Sequence, residues 1–364
     1  MQNKLTAGAL LNADGSLAQR GYANSLVLDY DRNAIKANKS RIKEWDYYLV
    51  TNDDYAIALT VDDNGYMGLI SATVLDFKAR TEKTNNYVIP FPMGKLHMPP
   101  TSATGDVHYK NKKVDFLFQK FDDGRRLKIR FDKFDGDSSL TADIMLTDEP
   151  KDSMVIATPF AEKKTAFYYN QKIIGMRASG MAEYKGRTYE FKPDSSFGML
   201  DWGRGVWTYD NTWYWGAGHG IVDGKVFGFN IGYGFGDTSA ASENMLFYDG
   251  VAHKLEGVTF NIPKFSNDEG DLLQHTHSHV HQQTNKTNGS DDFMSPWTFS
   301  STDGRFEMQF EPIIDRSAVI SVGVMGSDQH QVFGKFTGVA ILDDGTRIHL
   351  KDFLGFAEKV RNKW

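Results

Sequence analysis

Short runs in which apolar and polar residues alternate, each closed by a turn pair, repeat along almost the whole chain. Asp-Gly falls at Asp14-Gly15, Asp123-Gly124, Asp135-Gly136, Asp223-Gly224, Asp249-Gly250, Asp303-Gly304 and Asp344-Gly345, and Asn64-Gly65 adds another. These pairs supply the positive φ of tight hairpin turns, and the intervening Val, Ile, Phe, Tyr and Thr suit a pleated sheet. The pattern predicts an all-β, antiparallel protein. Helical period is read only in the terminal FAEKVRNKW, as a short C-terminal helix with Glu358 and Arg361 paired and Trp364 docking.

The pattern is densest from Phe197 to Gly236, which holds four of the seven tryptophans and a run of glycines. A two-residue turn at Asp223-Gly224 would set Val222 opposite Lys225. Register then places His219 opposite Gly228, Ala217 opposite Asn230, Trp215 opposite Gly232 and Trp213 opposite Gly234. The other face sets Gly220, Gly218 and Gly216 against Phe227, Phe229 and Ile231. Nearly every bulky side chain meets a glycine, so these glycines are expected to make room for rings. The face with Trp213, Trp215, His219 and Asn230 mixes stacking surface with polar groups and is a candidate pocket wall. The bland alternative is a packed core in which His219 and Asn230 satisfy each other or nearby backbone.

A chain of 364 residues is long for one core, and two units are expected. Closed barrels are the economical way for so many hairpins to remove exposed edges. The KPDSS segment at 192–196 gives the expected boundary, with barrels over 1–195 and 196–364 and a polar, His-rich insertion around 266–295 in the second. A net charge of −6 with scattered Lys and Arg argues against nucleic acid as a partner. The chain has no cysteine, which excludes disulfides and thiolate chemistry. No apolar run has the length of a membrane span or a signal-peptide core, so a soluble cytoplasmic protein is expected. Walker, dinucleotide and zinc-protease motifs and the Gly-x-Ser-x-Gly elbow are absent from the sequence.

The blocks KEWDYYLVT (43–51), MVIATPF (154–160), FGMLDWGRGVW (197–207), WYWGAG, FGFNIGYGFG, SENMLFYDG (242–250), PWTFSSTDGRFEMQFEP (296–312), HQVFGKFTG (330–338) and the terminal GFAEKVRNKW carry a family likeness. Together they resemble the bacterial domain-of-unknown-function family 2804. At greater distance the chain is similar to proteins built from two consecutive lipocalin-like β-barrels, among them carotenoid 1,2-hydratases, tocopherol cyclase and lipocalin-type Diels-Alderases. That resemblance implies a cavity for an apolar substrate and cofactor-free hydration or cyclisation. Gly205-Val206-Trp207 also matches the Gly-x-Trp that opens lipocalin barrels, which would make Trp207 a structural plug.

Asp201, between Leu200 and Trp202, is the first candidate acid, because desolvation favours the protonated carboxyl. If it pairs with Arg204 it would stay charged and serve as a structural or anchoring bridge. Glu243, in a pair with Asn244 after a small-residue loop, is the second acid. Trp202, Trp213 and Trp215 would wall the ligand, with Arg204, as part of the catalytic set, and His219, Asn230 and His330 orienting it. His275, His277, His279 and His281 would share one face of a strand and could hold a metal. Asp303, Gly304 and Arg305 read as a hairpin turn. The expected function is binding of a hydrophobic small molecule and its cofactor-free hydration, isomerisation or cyclisation, or else transport or sensing of that ligand without catalysis. A scaffold of filled barrels is the third possibility.

Overall fold

In a computed structural model the described residues are 2–265, 289–322 and 325–363. The alternating runs form strands, and among the described residues the helical pieces are two 3-10 turns, Arg32–Ala34 and Lys39–Arg41. Asp223 (φ 51°) and Gly224 (φ 76°) take the paired left-handed geometry of a type I′ turn. That turn fixes the expected register, with Val222 opposite Lys225, His219 opposite Gly228, Ala217 opposite Asn230 and Trp215 opposite Gly232. Gly304, with φ of 65°, closes the expected turn between Trp297–Ser301 and Phe306–Val322.

The strands assemble into two large antiparallel sheets. The first runs from the edge strand Thr81–Pro90 through Met67–Asp76, Tyr55–Asp63, Ile42–Thr51, Phe197–Val206, Lys163–Tyr184, Ser138–Thr147, Gly124–Asp135 and Val114–Phe121 to Val107–Lys110. It curls until its edges meet, with the Tyr87 and Tyr109 rings 6.0 Å apart and Asn85 Nδ2 donating to the Phe134 carbonyl at 2.7 Å. The second sheet runs from Val251–Lys254 through Met245–Tyr248, Lys225–Tyr233, Asp210–Val222, Arg347–Lys363, Met325–Ile341, Phe306–Val322 and Trp297–Ser301 to Val258–Asn261. Its interior is a continuous cluster of rings, in which Phe336 lies 4.9 Å from Phe229 and 4.6 Å from Phe310.

Two sequence expectations change here. The Phe197–Val206 strand does not open the second sheet; it sits mid-way in the first, between Ile42–Thr51 and Lys163–Tyr184. KPDSS is a turn inside that sheet, and the chain crosses to the second sheet after Val206. The expected C-terminal helix is instead part of the strand Arg347–Lys363. Its burial follows period two, with Phe356, Glu358, Val360 and Asn362 buried and Arg361 exposed. Arg361 therefore pairs with Asp210 at 3.0 Å and not with Glu358, and Trp364 lies outside the described residues.

The two sheets pack back to back, which is why all ten residues of Phe197–Val206 are buried. Alternate residues face the interior of the first barrel and the second sheet. Two glycines permit the approach. A Cβ on Gly228 would sit 2.6 Å from Ile174 Cγ2 of the first sheet, and one on Gly175 would sit 2.9 Å from Val226 Cγ1 of the second. Gly175 also has φ of 90° at a bulge in Lys163–Tyr184, a conformation that an L side chain resists. The ring-over-glycine reading holds at Gly218, where the Phe229 ring occupies the space of a Cβ, whereas Gly228 serves the contact between sheets. Gly228→Val should destabilise the protein by about 1–3 kcal/mol in urea unfolding, the usual cost of overpacking. Gly257→Ala, with its nearest neighbour 3.6 Å away, should be near neutral in the same measurement.

Candidate functional site

Charged and aromatic side chains collect where the two barrels meet. Register aligns Lys172, Asp201 and Tyr47 across three neighbouring strands of the first sheet, so all three project from one face. Lys172 Nζ lies 2.7 Å from Asp201 Oδ2, and Asn170 Nδ2 donates to Asp201 Oδ1 at 2.6 Å. The ammonium also sits 3.8 Å from the ring centroid of Trp215, which belongs to the second sheet. A desolvated cation over an indole contributes on the order of 2 kcal/mol, so this contact ties the barrels as well as the charge.

The second sheet answers with Trp213, Trp215, Asn230 and Glu358, and the loop before Met245–Tyr248 adds Glu243. Trp215 Nε1 donates to Asn230 Oδ1 at 2.7 Å, and Asn230 Nδ2 donates to the Glu243 carbonyl at 2.9 Å. Glu358 accepts from Trp213 Nε1 at 3.0 Å and from Gln331 Nε2 at 3.2 Å. Burial pushes the Glu358 carboxyl up to about 7, a rise that the Trp213 hydrogen bond and Lys172 oppose. Burial also raises Glu243, against the pull of Lys172. Both carboxyls feel Asp201 and Lys172, so the groups form one electrostatic unit spanning the two barrels.

This layer is not fully sealed. Met199, Leu200 and Trp202 are 0% exposed, whereas Tyr47 (8%), Trp215 (6%), Glu243 (6%) and Tyr168 (5%) keep some open surface. The Asp201 side chain keeps 10%. Asn170 Oδ1, buried beside Asp201, has no hydrogen-bond partner and can accept one. Two open surface depressions of about 420 Å3 each, around Phe91 and His97 and around Glu183 and Arg187, lie apart from these groups.

Several expected site residues lie elsewhere. Arg204 and Asp201 are three residues apart and so face opposite sides of their strand. Arg204 points into the first barrel, fully buried, where it pairs with Asp46 at 3.1 Å, donates to the carbonyls of Trp45 and Pro99 at 2.8 Å each, and stacks on Trp202 at 4.2 Å. Trp202 belongs to that interior, against Tyr30 and Tyr169. His219 does not pair with Asn230; its Nε2 meets Thr51 Oγ1 of the first sheet at 2.9 Å, and burial lowers its pKa to about 4. His330 lies on the face of its strand opposite Gln331, between Asp315 (2.6 Å) and Asp328 (3.3 Å) and stacked on Phe293. Burial there opposes protonation, but the two carboxylates outweigh it and raise its pKa to about 9. Glu243, the second expected acid, is buried. Trp207 contacts Trp45, Trp213 and Phe235 at the crossing between the sheets.

His275, His277, His279 and His281 lie outside the described residues, and among the described residues no group of three metal-ligating side chains gathers. Sequence reasoning missed Lys172, Tyr47, Tyr168, Gln331 and Glu358. Period-two alternation is the signal that places each on the shared face: in FYYNQKIIG for Tyr168 and Lys172, in KEWDYYLVT for Tyr47, in HQVFGKFTG for Gln331 and in GFAEKVRNK for Glu358.

Two variants separate stability from site chemistry. Arg204→Met strands Asp46 without its cation and should cost about 3–5 kcal/mol in urea unfolding. Folding favours the protonated Glu358, so its stabilisation is complete below its ordinary 4.5 and lost as the pH rises through about 7. Thermal midpoints of Glu358→Gln and the parent should therefore converge in acid and diverge above pH 7, with the variant higher; the reverse order would contradict the raised pKa.

The chain is similar in structure to solved proteins of low sequence identity. A protein from Nitrosomonas europaea, provisionally assigned as AttH, aligns with a TM-score of 0.51 at 12% identity, over 93% of this chain and 98% of that one. Kievitone hydratase from Nectria haematococca aligns with a TM-score of 0.47 at 11% identity, over 94% and 96%. The architecture is that of two consecutive lipocalin-like barrels. No curated protein matches by sequence. No helix among the described residues is long and apolar enough to cross a membrane. The family model described as Domain of unknown function (DUF2804) matches residues 2–364, and the chain belongs to that family.

Proposed function

We propose that the protein binds an apolar small molecule, of lipid, isoprenoid or polyketide character, in the layer between its barrels and converts it without a cofactor. The reaction class is acid-assisted hydration, isomerisation or cyclisation. One observation carries this reading: Lys172 and Asp201 pair at 2.7 Å in a buried layer where Glu243 and Glu358 feel both charges, and Tyr47, Tyr168, Trp213 and Trp215 wall it. Aromatic walls bind an apolar skeleton and stabilise developing positive charge, while buried carboxyls move protons. The ring-filled second barrel leaves the layer as the better place for a ligand.

The Lys172–Asp201 pair, Glu243 and Glu358 would handle protons, and Trp213 and Trp215 would hold the substrate. Arg204 and Trp202 act on stability from inside the first barrel. Native mass spectrometry of protein purified from its own host should show a co-purifying apolar molecule. Asp201→Asn should slow conversion of that molecule by about 100-fold or more, with binding retained. Trp213→Ala should weaken binding by about 1 kcal/mol or more. If Asp201→Asn converts at the parent rate, its proton-handling role is wrong; if the parent binds but converts nothing, the protein is a carrier.

A further inference from the structure

The reaction-site reading above leaves the proton donor open among three carboxyls, and the geometry separates them. Both oxygens of Asp201 are engaged by groups that favour its charge, Lys172 at 2.7 Å and Asn170 at 2.6 Å. Glu243 sits in a loop, with its carboxyl packed against Gly232, where a Cβ would come within 2.9 Å of Oε1. Glu358 lies on Arg347–Lys363, flanked on both sides by strands, and rigid elements hold reacting groups more accurately than loops.

The surroundings of Glu358 also fix its orientation. Arg316 Nη1 donates to Gln331 Oε1 at 2.8 Å, which turns the Gln331 amide so that Nε2 faces Glu358. Trp213 holds the other carboxyl oxygen. The charged and titratable groups acting on it are Arg316 from Phe306–Val322, with Lys172, Asp201 and Tyr47 from the first barrel and Tyr168 and Glu243 at the rim of the same layer. Each carboxyl oxygen accepts one hydrogen bond, which leaves a carboxyl proton free to point into the layer.

We propose that Glu358 is the proton donor of this site and the Lys172–Asp201 pair its proton acceptor, acting on an alkene carried by the apolar molecule between the barrels. The assignment rests on the reading of the layer as a reaction site. In hydration the Glu358 O–H bond breaks as a C–H bond forms from the alkene π pair. The adjacent carbon, electron-poor and close to the rings of Trp213 and Trp215, takes a lone pair from water. The resulting oxonium gives its proton to the Asp201 carboxylate. An oxonium is a strong acid, so a carboxylate beside a fixed ammonium is base enough. Proton return from Asp201 to Glu358 through solvent closes the cycle, and one water has been added.

The test needs a readout of the Glu358 proton and one of the reaction. The infrared difference spectrum of the parent minus Glu358→Gln should show a protonated-carboxyl band at neutral pH that fades with a midpoint near 7, the bands of Asp62 and other buried carboxyls cancelling. A difference spectrum without that band would overturn the assignment. In D2O, the parent should place deuterium on carbon in the apolar molecule that co-purifies with it. Glu358→Gln should bind that molecule as the parent does and incorporate deuterium at least about 100-fold more slowly, while Glu358→Asp recovers part of the rate. Incorporation at the parent rate in Glu358→Gln overturns the donor assignment and leaves the reaction site standing. If the parent incorporates none, the reaction site falls and the donor with it.

Discussion

Lys172 and Asp201 meet at 2.7 Å in the middle of a sheet, and both face away from the barrel that carries them. A buried ammonium or carboxylate left alone costs several kcal/mol, so each is stabilised here by the other. The pair still needs a roof that excludes water, and Trp215 of the second barrel supplies it from 3.8 Å. The constraint runs both ways. The outer face of the first barrel carries charge and rings, and the second barrel covers them.

Around that contact the polar groups divide into two sets by the pleat of a single strand. Odd-numbered residues of Phe197–Val206 carry Asp201 to the layer between barrels; even-numbered residues carry Trp202 and Arg204 into the first barrel. One set has its charges closed by short hydrogen bonds, as Arg204 is by Asp46 and three carbonyls. The other retains open surface, a carboxyl raised to about 7 and an unpaired Asn170 oxygen. Charges held by several short hydrogen bonds are fixed in place, while a buried carboxyl with a raised pKa is available for chemistry.

Much of this was legible in the sequence and some was not, for identifiable reasons. The Asp223-Gly224 pair sets the register of its hairpin through backbone geometry alone, so the shared face of Trp215, His219 and Asn230 follows from residues a few positions apart. Asp201 and Arg204 carry the plain signal of an odd spacing in a strand, yet their proximity in sequence suggests a pair. Glu358 was hidden because FAEKVRNKW contains good helix formers, and strand pairing on both sides of Arg347–Lys363 overrides that local preference. The contacts between the barrels, such as Lys172 with Trp215 and Thr51 with His219, join segments whose meeting no local pattern specifies.

The position of Arg347–Lys363 has a bearing on how the molecule is made. This strand is the last of the second sheet in chain order and yet one of its inner members. A ribosome delivers Asp201 and Lys172 long before Glu358, so the first barrel emerges with its aromatic and charged outer face uncovered. That face stays exposed to chaperones and to neighbouring nascent chains until the closing strand threads between Asp210–Val222 and Met325–Ile341. The same residues that would serve a ligand in the finished protein are thus uncovered while it is being made.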